Sequence, residues 1–142
     1  MQPPALNLKA KGDLAELKVA TDLMSRGYKI ALPYGEDWDY DLILCRDAKL
    51  ERVQVKHTRS DGNVIIIRCR SQSLTNGKVR AVKQYTARTV DWIAAYDATS
   101  DRCYYLAADL LGTGRSMLSL RLTPSRNGQV AGIRLATDYV DI

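Results

Sequence analysis

The chain has 142 residues, 46% apolar and 26% charged, which suits one packed domain of ordinary size and excludes wholesale disorder. No uninterrupted apolar run approaches the ~20 residues that span a bilayer, and Met1-Gln2-Pro3-Pro4 lacks the basic-then-apolar layout of a secretory leader. Three cysteines, Cys45, Cys69 and Cys103, are an odd number without close spacing, so a reducing cytoplasm is expected rather than a disulfide framework or a zinc knuckle.

The net charge of +5 is unevenly spread. Residues 1–45 hold five bases and seven acids, residues 46–88 eleven and three, and residues 89–142 five and six. A basic middle third between near-neutral ends is the pattern of a polyanion-binding surface. Thirteen of the 21 bases are Arg, which contacts phosphate through two parallel hydrogen bonds where Lys offers a point charge.

In chain order, Gly12-Asp13 opens a helical pattern ending at Gly27, with apolar positions Leu14, Leu17, Val19, Ala20, Leu23 and Met24. Asp13 complements the N-terminus of that helix and Arg26 its C-terminus. Residues 33–41 form an acidic, turn-rich segment. Asp41–Cys45 and Leu50–Lys56 read as strands joined by a polar connection, Arg46-Asp47-Ala48-Lys49. Val64–Arg70 is a third strand, and Asn76-Gly77 marks a turn in the basic stretch that follows. Thr86–Asp91 reads as a short helical turn. Val90–Tyr96 and Arg102–Leu106 form a second hairpin, Met117–Leu122 is another strand, and Val130–Ile142 permits either helix or strand. A helix, three strands and then mixed elements give an α/β or α+β sheet domain over residues 1–142.

Two features need a chemical explanation. Glu16 shares the apolar stripe of the helix with Val19, Ala20 and Leu23, where a carboxylate is partly stripped of water. In the hairpin, a loop at Arg46–Lys49 makes opposed residues sum to 95, so Asp41 faces Gln54. Side-chain alternation then puts Gln54 and Lys56 on the face of Asp41, and Val53 and Val55 on the other face with Leu42 and Leu44. An acid, an amide and an ammonium gathered in this way suit metal-assisted phosphodiester hydrolysis. Asp41 and a backbone carbonyl near Val55 supply the oxygen donors a hard cation prefers. The cation polarises phosphate and acidifies water. Lys56 orients that water or neutralises charge on the phosphorane oxygens, and Glu16 holds a second metal or a metal-bound water. The plain reading of Asp41 and Lys56 is a cross-strand ion pair worth ~0.2–1 kcal/mol.

Other sites are disfavoured. Asp37, Asp39 and Asp41 mimic the start of an EF-hand loop, but Leu42 stands where its Gly belongs and Ala48 where its Glu belongs. Asp39 remains an alternative to Asp41 as ligand. His57, the only histidine, is expected to point away from the catalytic face, and no Ser or Cys nucleophile has a second base to serve it.

Lys11-Gly12 followed by Glu16, then Tyr40-Asp41-Leu42, then Val53-Gln54-Val55-Lys56, resembles the PD-(D/E)XK nuclease superfamily. The likeness is greatest to the small group I intron-associated homing endonucleases with a Q-x-K motif. It extends through Val90-Asp91-Trp92-Ile93, Cys103-Tyr104-Tyr105-Leu106 and Leu120-Arg121-Leu122 with Asn127-Gly128-Gln129, over roughly residues 9–140. The resemblance implies a restriction-endonuclease-like mixed β-sheet flanked by helices, of αβββαβ type. It implies Mg2+, with Mn2+ as a substitute, held by Asp41, Glu16 and the Val55 carbonyl, and a catalytic set of Glu16, Asp41, Gln54 and Lys56. Two departures stand out: Tyr40 replaces the motif proline, and Gln54 replaces a carboxylate, which leaves the set with less charge to attract a cation.

The expected activity is cleavage of double-stranded DNA by a homo-oligomer, a dimer or tetramer, located in the cytoplasm with the nucleoid and without membrane contact. Arg59, Arg68, Arg70, Lys78, Arg80 and Lys83 are the candidate DNA contacts. Two alternatives are a structure-selective junction or repair nuclease and a nucleic-acid-binding module whose catalytic site has decayed.

Overall fold

The computed structural model describes residues 1–75 and 78–142, and side chains for residues 1–70 and 82–142. The Asn76-Gly77 turn expected from sequence lies outside the described residues. The first helix, α1, spans Leu8–Ser25. It begins earlier than its apolar periodicity suggests because Asn7 caps it, its side-chain oxygen accepting from the Ala10 N–H at 2.8 Å. Asp13 therefore lies inside the helix, paired with Lys9 at 3.2 Å, and no acid stands in the first turn. The end conforms to expectation: Gly27 has φ +88 and donates to Met24, while the Tyr28 N–H reaches back to the Leu23 carbonyl. Ala15, Val19 and Leu23 form the fully buried stripe. Leu17 and Met24, expected to be apolar contacts, face out, because a helix seated on a flat sheet buries a narrower arc than its full set of apolar positions.

The main sheet has the order β1-β2-β3-β7-β8. Its members are β1 (Lys29–Ala31), β2 (Leu42–Arg46), β3 (Lys49–Thr58), β7 (Trp92–Asp97) and β8 (Arg102–Ala107). The β3–β7 pair is parallel and the others are antiparallel. Between β3 and β7 come β4 (Val64–Arg68), β5 (Arg70–Thr75) and β6 (Lys78–Gln84), and β9 (Met117–Arg121) follows β8. β4 pairs with β9 and β5 with β6 as separate ribbons. β1, only three residues long, carries too short a pattern to be read from sequence.

Leu42 opposes Val53 and Arg46 opposes Lys49, which is the register summing to 95. The turn is tighter than the expected four-residue connection: only Asp47 and Ala48 are unpaired, both in the left-handed region at φ 51 and 59. Arg46 and Glu51 brace this end of the hairpin through a two-point contact at 2.7 and 3.1 Å.

One face of the sheet packs Leu42, Leu44, Val53, Val55, Ala94, Tyr96 and Tyr105 against α1. The other packs Ile93, Ala95, Tyr104 and Leu106 against Ile65, Ile67, Leu118 and Leu120 of the β4–β9 ribbon, with Cys69, Tyr85 and Val90. This is a mixed α/β core of the restriction-endonuclease-like class. Among the described residues the crossover from β3 to β7 contains strands and a turn at Thr86–Thr89 but no α-helix, so the second flanking helix of an αβββαβ order is replaced by the ribbon. The cause is local: residues 64–69 alternate in burial with a period of two, the strand period, and one side of them suffices to cover the sheet. Within the ambiguous tail only Ala136–Tyr139 is regular, a single short 3-10 turn. Among the described residues no helix is long and apolar enough to cross a membrane.

The parallel strands are tied at one end by Asp97, which is fully buried. Its carboxylate accepts from the Ser60 N–H and hydroxyl at 2.8 and 2.9 Å, the Thr99 N–H at 3.3 Å, and the Ser100 N–H and hydroxyl at 3.2 and 2.7 Å.

Candidate active site

β2 begins at Leu42, where the acidic segment joins the sheet, so Asp41 lies just outside the ladder while its own N–H still reaches the Val53 carbonyl at 2.9 Å. Its carboxylate turns back and accepts the Val55 N–H at 2.8 Å. The packing of α1 on β3 brings Glu16 to the same carboxylate, and the two acids share a hydrogen bond. Burial and then the Asp41 charge push Glu16 up to about 7, further raised by the hydrogen bond to Asp41 and by Asp13. Burial also raises Asp41. The Val55 N–H, the bond to Glu16 and the Lys56 charge pull it back only in part. The pair thus retains a proton above the ordinary carboxylate range.

Lys56 approaches from β3. Burial lowers its pKa, and Asp41 followed by Cys69 opposes that shift. Its Nζ lies 4.9 Å from the centre of the Tyr85 ring. Gln54 is buried, two residues back on the same side of β3, and its amide nitrogen lies 3.3 Å from the Val55 carbonyl. Asp41 therefore accepts a strand N–H and meets a helix acid, and the charge of Lys56 acts on it from β3. Among the described residues no group of three or more His, Cys, Asp and Glu is placed to hold a metal. Glu16 and Asp41 are the two carboxylates that meet here.

A cleft of about 230 Å3 opens beside Glu16 and Asp41, bounded by Pro33, Gly35, Asp37, Trp38 and Tyr40. Trp38 donates to the Tyr34 carbonyl at 2.8 Å and meets Tyr40 edge-to-face at 5.4 Å between ring centres. Asp39, the alternative ligand, is instead paired with Lys83 at 3.3 Å. Lys83, a candidate DNA contact, is half-exposed in this pair.

Arg68 is exposed on the outer side of β4, opposite Met117. Arg70 is held by the Ser116 hydroxyl. Arg59 is exposed close to His57. The side chains of Lys78 and Arg80 lie outside the described residues. His57 packs on the α1 side, its ring 5.8 Å from that of Tyr96. Sequence reasoning missed Tyr85 because 29 residues separate it from Lys56, and no periodic pattern relates the two.

The fold is similar to that of a bacterial homing endonuclease, I-Ssp6803I, with a TM-score of 0.72 and 21% identity over 94% of this chain and 88% of that one. No curated protein matches the chain in sequence. The sequence profile of the PD-(D/E)XK endonucleases matches residues 6–142, nearly the whole chain, and the chain belongs to that family.

Proposed function

We propose that the chain is a Mg2+-dependent endonuclease that hydrolyses phosphodiester bonds in double-stranded DNA, in the manner of a homing endonuclease. The observation that carries this reading is the convergence on Asp41 of Glu16, Lys56 and the Val55 N–H. The donor set fits a hard divalent cation: two facing carboxylates that repel each other and hold a proton between them have a cation's place to fill. Glu16, Asp41 and the Val55 carbonyl would hold it, with the Gln54 amide beside that carbonyl. The cation would polarise the scissile phosphate and lower the pKa of a bound water.

The chain's own residues do the rest. Asp41 is fixed by the Val55 N–H and so cannot swing away from the cleft. Lys56, partly buried over Tyr85, is aimed so that its ammonium neutralises charge developing on the phosphorane oxygens. The basic third of the sequence supplies phosphate contacts, with Arg59, Arg68 and Arg70 exposed among the described residues. Cutting both strands needs two sites, so a dimer or tetramer is the working assembly.

The test is plasmid cleavage with Mg2+ or Mn2+ by the wild type, Asp41→Ala and Lys56→Ala. Loss of cutting in both variants supports the assignment, and equal cutting by all three proteins removes it. Gln54 favours one second reading, a DNA-binding module whose catalysis has decayed. That reading requires salt-sensitive duplex binding that survives Asp41→Ala, with no Mn2+ bound in calorimetry.

A further inference from the structure

We infer that the open strip of α1 at Gly12 seats the phosphodiester backbone of DNA, one helical turn from the Glu16–Asp41 pair. This deepens the nuclease reading and rests on it. Gly12 lies inside α1, where glycine is less stable than alanine because its backbone has more freedom to lose. Two ordinary reasons for such a glycine are missing. Gly12 is not among the residues of positive φ, so the backbone does not require it. A Cβ built there meets nothing within 4 Å among the described residues, so their packing does not require it either.

What remains is a gap kept for something outside the chain, and its position says what. Gly12 is four residues before Glu16, so the two share one face of the helix, and the gap borders the acids' side of the sheet. The surroundings are cationic. Lys11 is the neighbour of Gly12 in α1, and the exposed Arg59 directly follows β3, a strand on which α1 packs. Asp13, the acid next to the gap, is already neutralised by Lys9 at 3.2 Å. A narrow anionic chain that must come close to a helix surface fits a bare backbone flanked by Lys11 and Arg59. A methyl at position 12 would hold it off.

The test sets stability against binding. Gly12→Ala is compared with the wild type in thermal melts, and in anisotropy titrations of a mixed-sequence duplex oligonucleotide with Ca2+ in place of Mg2+. The expected result is a melting temperature higher by a few degrees together with duplex affinity at least about tenfold weaker. Lys11→Ala and Arg59→Ala should each lower the slope of log affinity against log salt by about one.

If the wild type binds and Gly12→Ala binds equally, the inference falls and the nuclease reading stands. A lower melting temperature for Gly12→Ala would show that the gap is needed by the chain itself, and would also overturn the inference. A changed sedimentation coefficient with unchanged affinity would assign the strip to a second copy of the chain and overturn it. If the wild type fails to bind duplex at all, the nuclease reading falls and takes the inference with it.

Discussion

Asp97 and Asp41 are both drawn out of water at strand ends, and their surroundings treat them in opposite ways. Burial pushes Asp97 up, but donors from Ser60, Thr99 and Ser100 outweigh it and hold the carboxyl below its usual range. Asp41 receives one backbone N–H and faces Glu16, and both of its acids are raised. A carboxylate ringed by donors is a finished structural part. A carboxylate facing another is an unsatisfied one, stable only with a proton or a cation between the two. Burial is common to both ends of the sheet, so the donor supply is what separates a knot of the fold from a place where chemistry happens.

The sharpest way to break this contrast is to remove charge at each end. Asp41→Asn should lower cleavage by about 10²–10³-fold, read in plasmid assays, while leaving urea denaturation of the metal-free protein unweakened. Asp97→Ala should do the reverse. It strands three backbone N–H groups and costs about 3 kcal/mol in urea denaturation. Asp97→Asn should recover part of that.

pH sharpens the comparison, because the two ends titrate with opposite sign. Glu16 is raised from 4.5 to about 7, so the folded chain takes up a proton that the unfolded chain releases over that window. Without divalent cation, that term falls steadily as pH climbs from about 4.5 to about 7 and is flat above. Glu16→Gln should abolish this slope in thermal melts followed across pH, and Mn2+ should raise the melting temperature more at pH 8 than at pH 5. Asp97, held low, contributes stability that disappears only as acid reaches its depressed folded pKa. The smallest effect is expected away from both acids: Ala48→Gly, at φ 59, should stabilise the protein by about 1 kcal/mol in urea.

What could be read in advance follows the range of the forces involved. The β2–β3 register was legible because Leu42 and Leu44 alternate against Val53 and Val55 across a short polar connection, so a slip of one residue would turn the core outward. Glu16 was legible from helical periodicity. Asp97 was not: its donors Thr99 and Ser100 are near in sequence, but Ser60, which ties it to the end of β3, comes 37 residues earlier, and no local pattern announces that meeting. Within the crossover the strand at Val64–Arg70 was legible from its β-branched run, but its pairing with the distant β9 was not. Leu17 and Met24 belong to the apolar periodicity of the helix, yet both are exposed, because the sheet covers only one side of it.

The Asp47-Ala48 bend has a kinetic consequence. Two L-residues in left-handed conformation make a poor nucleus, so the hairpin has little reason to close by itself. Its alignment waits for distant partners: β7 beside β3, the helix across Leu42 and Val53, and Trp92 donating to Glu51 at 3.0 Å. The grouping around Asp41 is therefore all-or-none. A nascent or half-assembled chain presents scattered acids and a lone lysine, and only the completed sheet gathers them.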